Sequence, residues 1–145
     1  MAWIPFDAAK SSQMTGSPAA AVNFATGGDT LKVMLSTASY VPDQTAHQFK
    51  SSVTNEVTGG NYTAGGVTLA SKTATITSHV FAFDSADLTW LQHATGFSSA
   101  RIATFYKSTG VDATSLLIAY YDLISDRGNV AGDLVLGTPS GIWAF

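Results

Sequence analysis

The chain has 145 residues, and only 12% of them are charged, about half of the ~25% typical of globular domains. Its net charge of −3 and seven scattered basic residues exclude the clustered positive charge that nucleic-acid binding requires. The absence of cysteine excludes disulfides and thiolate metal sites, and no apolar run approaches the roughly 20 residues of a membrane-spanning helix. We therefore expect one soluble domain, solvated mainly by its 16 serines and 18 threonines.

Residues 1–30 show neither of the hydrophobic periods that predict a helix or a strand. The opening MAWIPFDAAK lacks the basic and then apolar order of a secretory signal, and small, turn-forming residues follow it. The sequence predicts an irregular N-terminal arm over residues 1–30, before a single β-sandwich domain over residues 31–145. Trp3 and Phe6 need a surface to pack against, so we expect the arm to be mobile alone and ordered against a partner.

The first regular pattern begins at residue 31, where three apolar residues alternate with Lys32, Met34 and Ser36. This period of two predicts a half-buried strand over residues 31–37. A Pro-Asp turn follows, and Asp43 is a suitable N-cap for a helix. Apolar residues then recur at helical spacing, which predicts a short helix over residues 44–52.

The next segment, TGGNYTAGG, has two glycine pairs around Tyr62. Glycine adopts positive φ angles that other residues adopt only at a cost, so the pairs indicate tight turns. A phosphate-binding loop is excluded because no lysine and helix follow the glycines. We expect a structural turn in which the ring of Tyr62 pins the loop.

The rest of the chain has several β-rich segments separated by short turn signals. Segments 101–107 and 115–124 flank the polar link STGVDAT and predict a hairpin. The other predicted strands are residues 67–70, 72–83, 129–137 and the closing SGIWAF. The prediction is an all-β protein, an antiparallel β-sandwich or jelly roll of about 7–8 strands with one short helix and the irregular N-terminal arm.

No group of residues predicts catalysis. The three histidines lack metal-ligand spacing, no G-x-S-x-G elbow is present, and Asp84 and Asp87 are better explained as turn caps before a buried Leu88 and Trp90. We therefore expect no catalytic, cofactor-binding or metal-binding residues and no cofactor. A glycan-binding module stays open as an alternative, because several aromatic residues could stack on sugars: Trp3, Tyr62, Trp90, Tyr120, Tyr121 and Trp143.

Residues 31–70 resemble a segment of small virion structural proteins of tailed bacteriophages. The resemblance includes VPDQ, a His-x-Phe, TNEVTG, a Tyr flanked by Thr and AGGxxLA, and it continues through FDSADLTW, YKSTG and LLIAYYDL. It covers most of the chain after residue 30.

The resemblance implies a capsid decoration, or cement, protein that is made in the bacterial cytoplasm and located on the capsid exterior of the virion. Its implied partners are the major capsid protein and further copies of itself, as a dimer or trimer, with no nucleic acid and no membrane. A tail or neck component is the nearest alternative. The candidate interface residues are Trp3, Ile4, Phe6, His47, Phe49 and Tyr62.

Overall fold

The computed structural model describes residues 2–137. The described chain is mostly β, with one α-helix and three sheets, so the all-β class is confirmed. Short 3-10 turns lie at Lys50–Ser52 and Asp112–Thr114. In chain order the elements are β1 (Ile4–Pro5), α1 (Asp7–Thr15), β2 (Leu31–Ser36), β3 (Val67–Thr68), β4 (Thr73–Thr77), β5 (Val80–Asp84), β6 (Leu88–Trp90), β7 (Ala100–Lys107), β8 (Leu117–Arg127) and β9 (Leu134–Leu136).

The largest sheet has five antiparallel strands in the order β1-β8-β7-β2-β3. Its centre is the β7–β8 hairpin, which the sequence predicted and the register confirms, with Thr104 opposite Tyr120. Strand β2 pairs with β7 along its whole length, from Leu31 opposite Lys107 to Ser36 opposite Ile102. The other sheets are the two-stranded ribbons β4–β5 and β6–β9.

Both faces of the central sheet are buried. Alternate residues of β2, including Val33, belong to a large apolar cluster with Phe105 on β7. Met34 and Tyr106 point to the opposite face and form a second cluster with Phe6. Burial of one such side chain stabilises the fold by ~1.5–3 kcal/mol. Strand β2 is therefore buried on both faces, although its sequence predicts a half-buried strand.

The prediction of an irregular arm is wrong for residues 4–15. Ile4 and Pro5 pair with β8, and the Phe6 amide donates to the Ile118 carbonyl at 2.9 Å. Helix α1 follows and ends at Gly16, whose φ is 73°. This helix buries only small residues, Ala8, Ala9 and Ser12, so its sequence carries too few large apolar residues to produce a helical period. Residues of this segment lie in the same core as the strands.

The predicted helix over residues 44–52 is also wrong. The Asp43 carboxylate accepts hydrogen bonds from the amides of Thr45 and Ala46, which closes a turn instead of starting a helix. The chain then runs extended along the central sheet, where Phe49 bridges to Leu116, and only the 3-10 turn follows. Phe49 packs against the apolar core while Ala46 is exposed, so the two do not form the buried stripe of a helix.

The predicted strand over residues 72–83 is divided into two strands. Ser78 and His79 have φ angles of 51° and 67°, so they form a two-residue turn of type I′ between β4 and β5. Asn and Gly are the usual residues of such turns, so Ser-His gives no turn signal. The predicted strands over 67–70 and 129–137 shorten to β3 and β9. The closing SGIWAF, with Trp143, lies outside the described residues.

Candidate functional site

The side chain of Asn129 connects three loops at one end of the fold. It is fully buried, its Oδ1 accepts from the Phe97 amide at 2.9 Å, and its Nδ2 donates to the carbonyls of Gly60 and Leu91 at 3.0 and 2.8 Å. Its own amide donates to the Phe97 carbonyl, and its carbonyl accepts from the His93 amide. Because buried polar groups are costly unless they are hydrogen-bonded, these contacts hold the loops in one arrangement. We call this region the Asn129 loop cluster.

Glycines allow the loops of this cluster to approach one another closely. A Cβ on Gly60 would lie 2.0 Å from Nδ1 of His93, and a Cβ on Gly128 would lie 2.1 Å from the Phe97 carbonyl oxygen. A side chain at Gly60 would displace the His93 ring, and one at Gly128 would clash with the main chain. The first glycine pair of TGGNYTAGG therefore serves the close packing of two loops that are distant in sequence.

Tyr62 pins the second half of this glycine loop to β2, as the sequence predicts. Its hydroxyl donates to the Glu56 carboxylate at 2.7 Å and accepts from the Leu35 amide at 3.0 Å. The same carboxylate oxygen accepts from the Gly65 amide at 2.6 Å. The Tyr62 ring also meets the Phe97 ring edge to face, with centroids 5.6 Å apart. Glu56, the only glutamate of the chain, thus has a structural role.

Burial raises the pKa of three tyrosines. The pKa of Tyr106 rises to about 12 because of burial and then the negative charges of Glu56 and Asp112. The pKa of Tyr40 also rises to about 12, through burial and the nearby Tyr120. Burial raises the pKa of Tyr62 further, with Glu56 adding to the effect. The folded state therefore favours the neutral phenol at all three positions.

We expect this preference to appear in an alkaline titration of phenolate absorbance. A raised folded pKa contributes stability that is present below the ordinary tyrosine pKa of about 10 and is lost as the pH rises towards 12. Tyr40, Tyr62 and Tyr106 should therefore stay neutral well above the ordinary tyrosine pKa of about 10 while the chain is folded. Tyr40→Phe should remove one of these late ionisations. Ionisation of these three tyrosines near pH 10 in a chain with native circular dichroism would contradict the burial described here.

An exposed apolar surface lies beside the Asn129 loop cluster. Trp90 of β6 points into the core, so the next residue, Leu91, points outwards and is 60% exposed. Val135 of β9 is 52% exposed and lies opposite Thr89, on the same outward face. Val130 is 40% exposed at the rim of a groove of about 280 Å³, and its carbonyl accepts from the side chain of Gln92, the residue after Leu91. We call Leu91, Val130 and Val135 the β6–β9 face.

The six predicted interface residues do not form one surface. Trp3 and Phe6 lie inside the chain's own core on opposite faces of β8, where Trp3 contacts Tyr121 and Phe6 contacts Tyr120. Ile4, between them, is 38% exposed.

The three other predicted interface residues are partly buried. The His47 ring stacks on Tyr40, with the ring centroids 5.6 Å apart. Phe49 packs on the core, and Tyr62 holds the glycine loop. Of the six residues, only Ile4 reaches the surface with a large exposed fraction.

The residues whose side chains could take part in metal binding, catalysis or sugar stacking are dispersed over the fold. Within residues 2–137, no group of three or more His, Asp or Glu side chains could hold a metal ion. His93 caps its own turn through the Thr95 amide, and His79 occupies the β4–β5 turn. Trp90 is buried as predicted, and Tyr120 and Tyr121 pack against rings on opposite faces of β8.

Helix α1, with nine residues, is the only α-helix of the described chain, and no helix in this part is long and apolar enough to cross a membrane.

Sequence reasoning missed both Asn129 and the β6–β9 face. The sequence RGNVAG around Asn129 predicts an ordinary turn. The three residues to which the Asn129 side chain is hydrogen-bonded lie 32, 38 and 69 residues away in the chain. Leu91 and Val135 resemble core residues of strands, and only the pairing of β6 with β9 shows that they point outwards.

Comparisons of the chain with protein-family models, with curated proteins and with solved structures give no match.

Proposed function

We propose that the chain is a non-enzymatic structural protein of a phage particle. In this proposal it decorates the outside of the capsid, bridges neighbouring subunits of the major capsid protein and cements the shell. It is made in the cytoplasm of the host bacterium and becomes part of the virion, and its fold is a β-sandwich of the jelly-roll type. The resemblance of residues 31–70 to virion proteins supports the proposal. The structural roles that residues of this segment have in the fold also support it.

The observation that carries the proposal is an apolar face held on rigid loops. Asn129 and the glycine contacts hold the loops beside Leu91, Val130 and Val135 before any partner arrives. A preorganised surface loses little conformational entropy on binding, so a small apolar face can contribute useful affinity. Many copies on one shell need only modest affinity each, because neighbouring contacts add through avidity.

The polar residues of the same region favour a structural role over a catalytic one. One oxygen of the Glu56 carboxylate accepts from Tyr62 and from the Gly65 amide, and the amide group of Asn129 is occupied by three main-chain partners. Catalytic groups need polar atoms that are free to contact a substrate. These groups instead direct their hydrogen bonds inwards and fix the loops.

The test is binding to shells that lack the protein, measured by co-sedimentation and by the number of bound copies per shell. We expect saturation at a fixed stoichiometry. Leu91→Asp should weaken binding by roughly tenfold or more, because a charge on the interface costs well over the ~1.4 kcal/mol that a tenfold change represents. Met14→Asp is the matched control, since Met14 is an exposed apolar residue on α1, and it should bind as the unchanged chain does.

The same experiment separates the alternatives. Binding to purified tails or necks but not to shells would assign the chain to those parts of the virion. Binding to cell-surface glycan alone would assign it to glycan recognition. Equal loss of shell binding in Leu91→Asp and Met14→Asp would show that the β6–β9 face is not the surface that binds the shell.

A further inference from the structure

The β4–β5 ribbon has an edge that is open to pairing. Strand β4 pairs with β5, and no other strand of the described residues pairs with it. Ile76 on this strand is 75% exposed. Edge strands are usually protected from pairing by charges, prolines or bulges. Residues 73–77, TATIT, contain no charge and no proline, and their pairing with β5 has no bulge.

The main-chain groups of this edge are arranged for an antiparallel neighbour. In a hairpin with a two-residue loop, the closing pair exchanges hydrogen bonds, and alternate pairs along the ribbon do the same. Thr77 is the closing residue here, so Thr75 and Thr73 also bond to β5. The amides and carbonyls of Ala74 and Ile76 then point away from β5, and they have no other hydrogen bond within the described chain.

The sequence of this edge is nearly the same in both directions. If two copies of TATIT pair antiparallel about Thr75, then Thr75 meets Thr75 of the second copy and Thr73 meets its Thr77. Ala74 meets Ile76 of the second copy, a small side chain against a large one. Cross-strand threonine pairs stabilise sheets, and no like charges oppose one another.

The free main-chain groups and the side-chain pairs of β4 require the same register. Pairing about Thr75 places each Ala74 opposite an Ile76, and these are the residues with free amides and carbonyls. It also aligns all five residues of β4. Such a contact uses the same surface on both copies, so it closes as a twofold dimer.

We propose that two copies of this chain form a twofold dimer by antiparallel pairing of their β4 strands. The two ribbons then join into one four-stranded sheet, with Ile76 beside Ala74 of the second copy. The outer edge of β4 is then the surface of self-association. Formation of this dimer does not depend on whether the chain binds a capsid.

The first test uses single cysteines, because the chain has none of its own. At the centre of the register the two Thr75 Cα atoms should lie about 4.5 Å apart, within the range that a disulfide spans. Thr75→Cys should therefore form a covalent dimer on mild oxidation. Thr77→Cys is the matched control on the same exposed strand, because its two copies would be roughly 13 Å apart.

The second test uses charge. Thr75→Lys and Thr75→Glu each place like charges together on the twofold axis and should raise the dimer dissociation constant roughly 100-fold, as followed by sedimentation velocity. Mixing the two variants should restore a dimer, which a folding defect could not do. Thr68→Lys places the same charge on the exposed edge strand β3 and should leave the dimer intact.

A chain that is monomeric at all concentrations would overturn the proposal. So would equal cross-linking of Thr75→Cys and Thr77→Cys, or failure of the mixed charge variants to associate. Thr75 lies outside the β6–β9 face. Shell binding by monomeric Thr75→Lys would therefore support the proposed function even if the chain does not dimerise through β4.

Discussion

Gly66→Ala is expected to destabilise the protein by about 2–5 kcal/mol. Gly66 has a φ of 81°, and its Cβ would lie 1.9 Å from the Val33 carbonyl oxygen and 2.6 Å from the Met34 Cα. Both obstacles are main chain of β2, inside the central sheet, so they cannot move aside as a flexible side chain can. The loss combines a left-handed backbone cost of ~1–2 kcal/mol with an overpacking cost of ~1–3 kcal/mol. Denaturant unfolding measures it.

Gly110→Ala is the matched control for this substitution. Gly110 has a nearly equal φ of 85°, but a Cβ there would meet nothing within 4 Å. It should therefore lose only the backbone contribution of ~1–2 kcal/mol. The difference between the two variants isolates the contact between the glycine loop and β2. Equal losses of stability would contradict the close approach described here.

Phe6→Ala should lower the free energy of unfolding by ~3–5 kcal/mol. Phe6 is 0% exposed and packs with Met34, Tyr106 and Leu117, and its ring lies 5.4 Å from that of Tyr120. Removing the ring leaves a cavity on one face of the central sheet. Thermal or denaturant unfolding of the isolated protein measures the effect without any partner.

The control for Phe6→Ala is Ile4→Ala, two residues away in the same segment. Ile4 is 38% exposed, and we expect its truncation to cost less than about 1 kcal/mol. Amide exchange should also show protection at Phe6, whose amide donates to Ile118. If both substitutions have the same small effect and the Phe6 amide exchanges freely, the segment is a mobile arm in the isolated protein, as its sequence first predicts.

The parts of the fold with strong local patterns could be predicted from the sequence. The strand at β2 follows from alternation, and the β7–β8 hairpin follows from two β-rich segments around a short polar link. The burial of Leu88 and Trp90 follows from their spacing. In each case the determining interactions are local, or they repeat along the strand, so neighbouring residues carry the signal.

The parts that could not be predicted depend on distant or unusual contacts. The buried face of helix α1 consists only of small residues, so the hydrophobic periodicity of its sequence is weak. The β4–β5 turn uses Ser78 and His79 at positive φ, a combination with no sequence signal. Asn129 acts through main-chain partners up to 69 residues away. No local pattern encodes these contacts, because tertiary packing determines them.

The two proposals together describe how one small domain could join capsid subunits. Each copy presents one β6–β9 face, and pairing through β4 gives a dimer with two such faces. A dimer that binds two subunits at once gains effective concentration for the second contact, so the affinity of each face can be low. The weakly charged surface of the chain also limits the dependence of such contacts on salt.

The most direct test of the cement role is the temperature at which capsid shells rupture, measured by light scattering with and without the bound protein. We predict that shells saturated with the unchanged chain rupture at a higher temperature, that shells mixed with Leu91→Asp rupture as bare shells do, and that Met14→Asp protects fully. Shells that carry a full complement of the unchanged chain and still rupture at the temperature of bare shells would contradict the account.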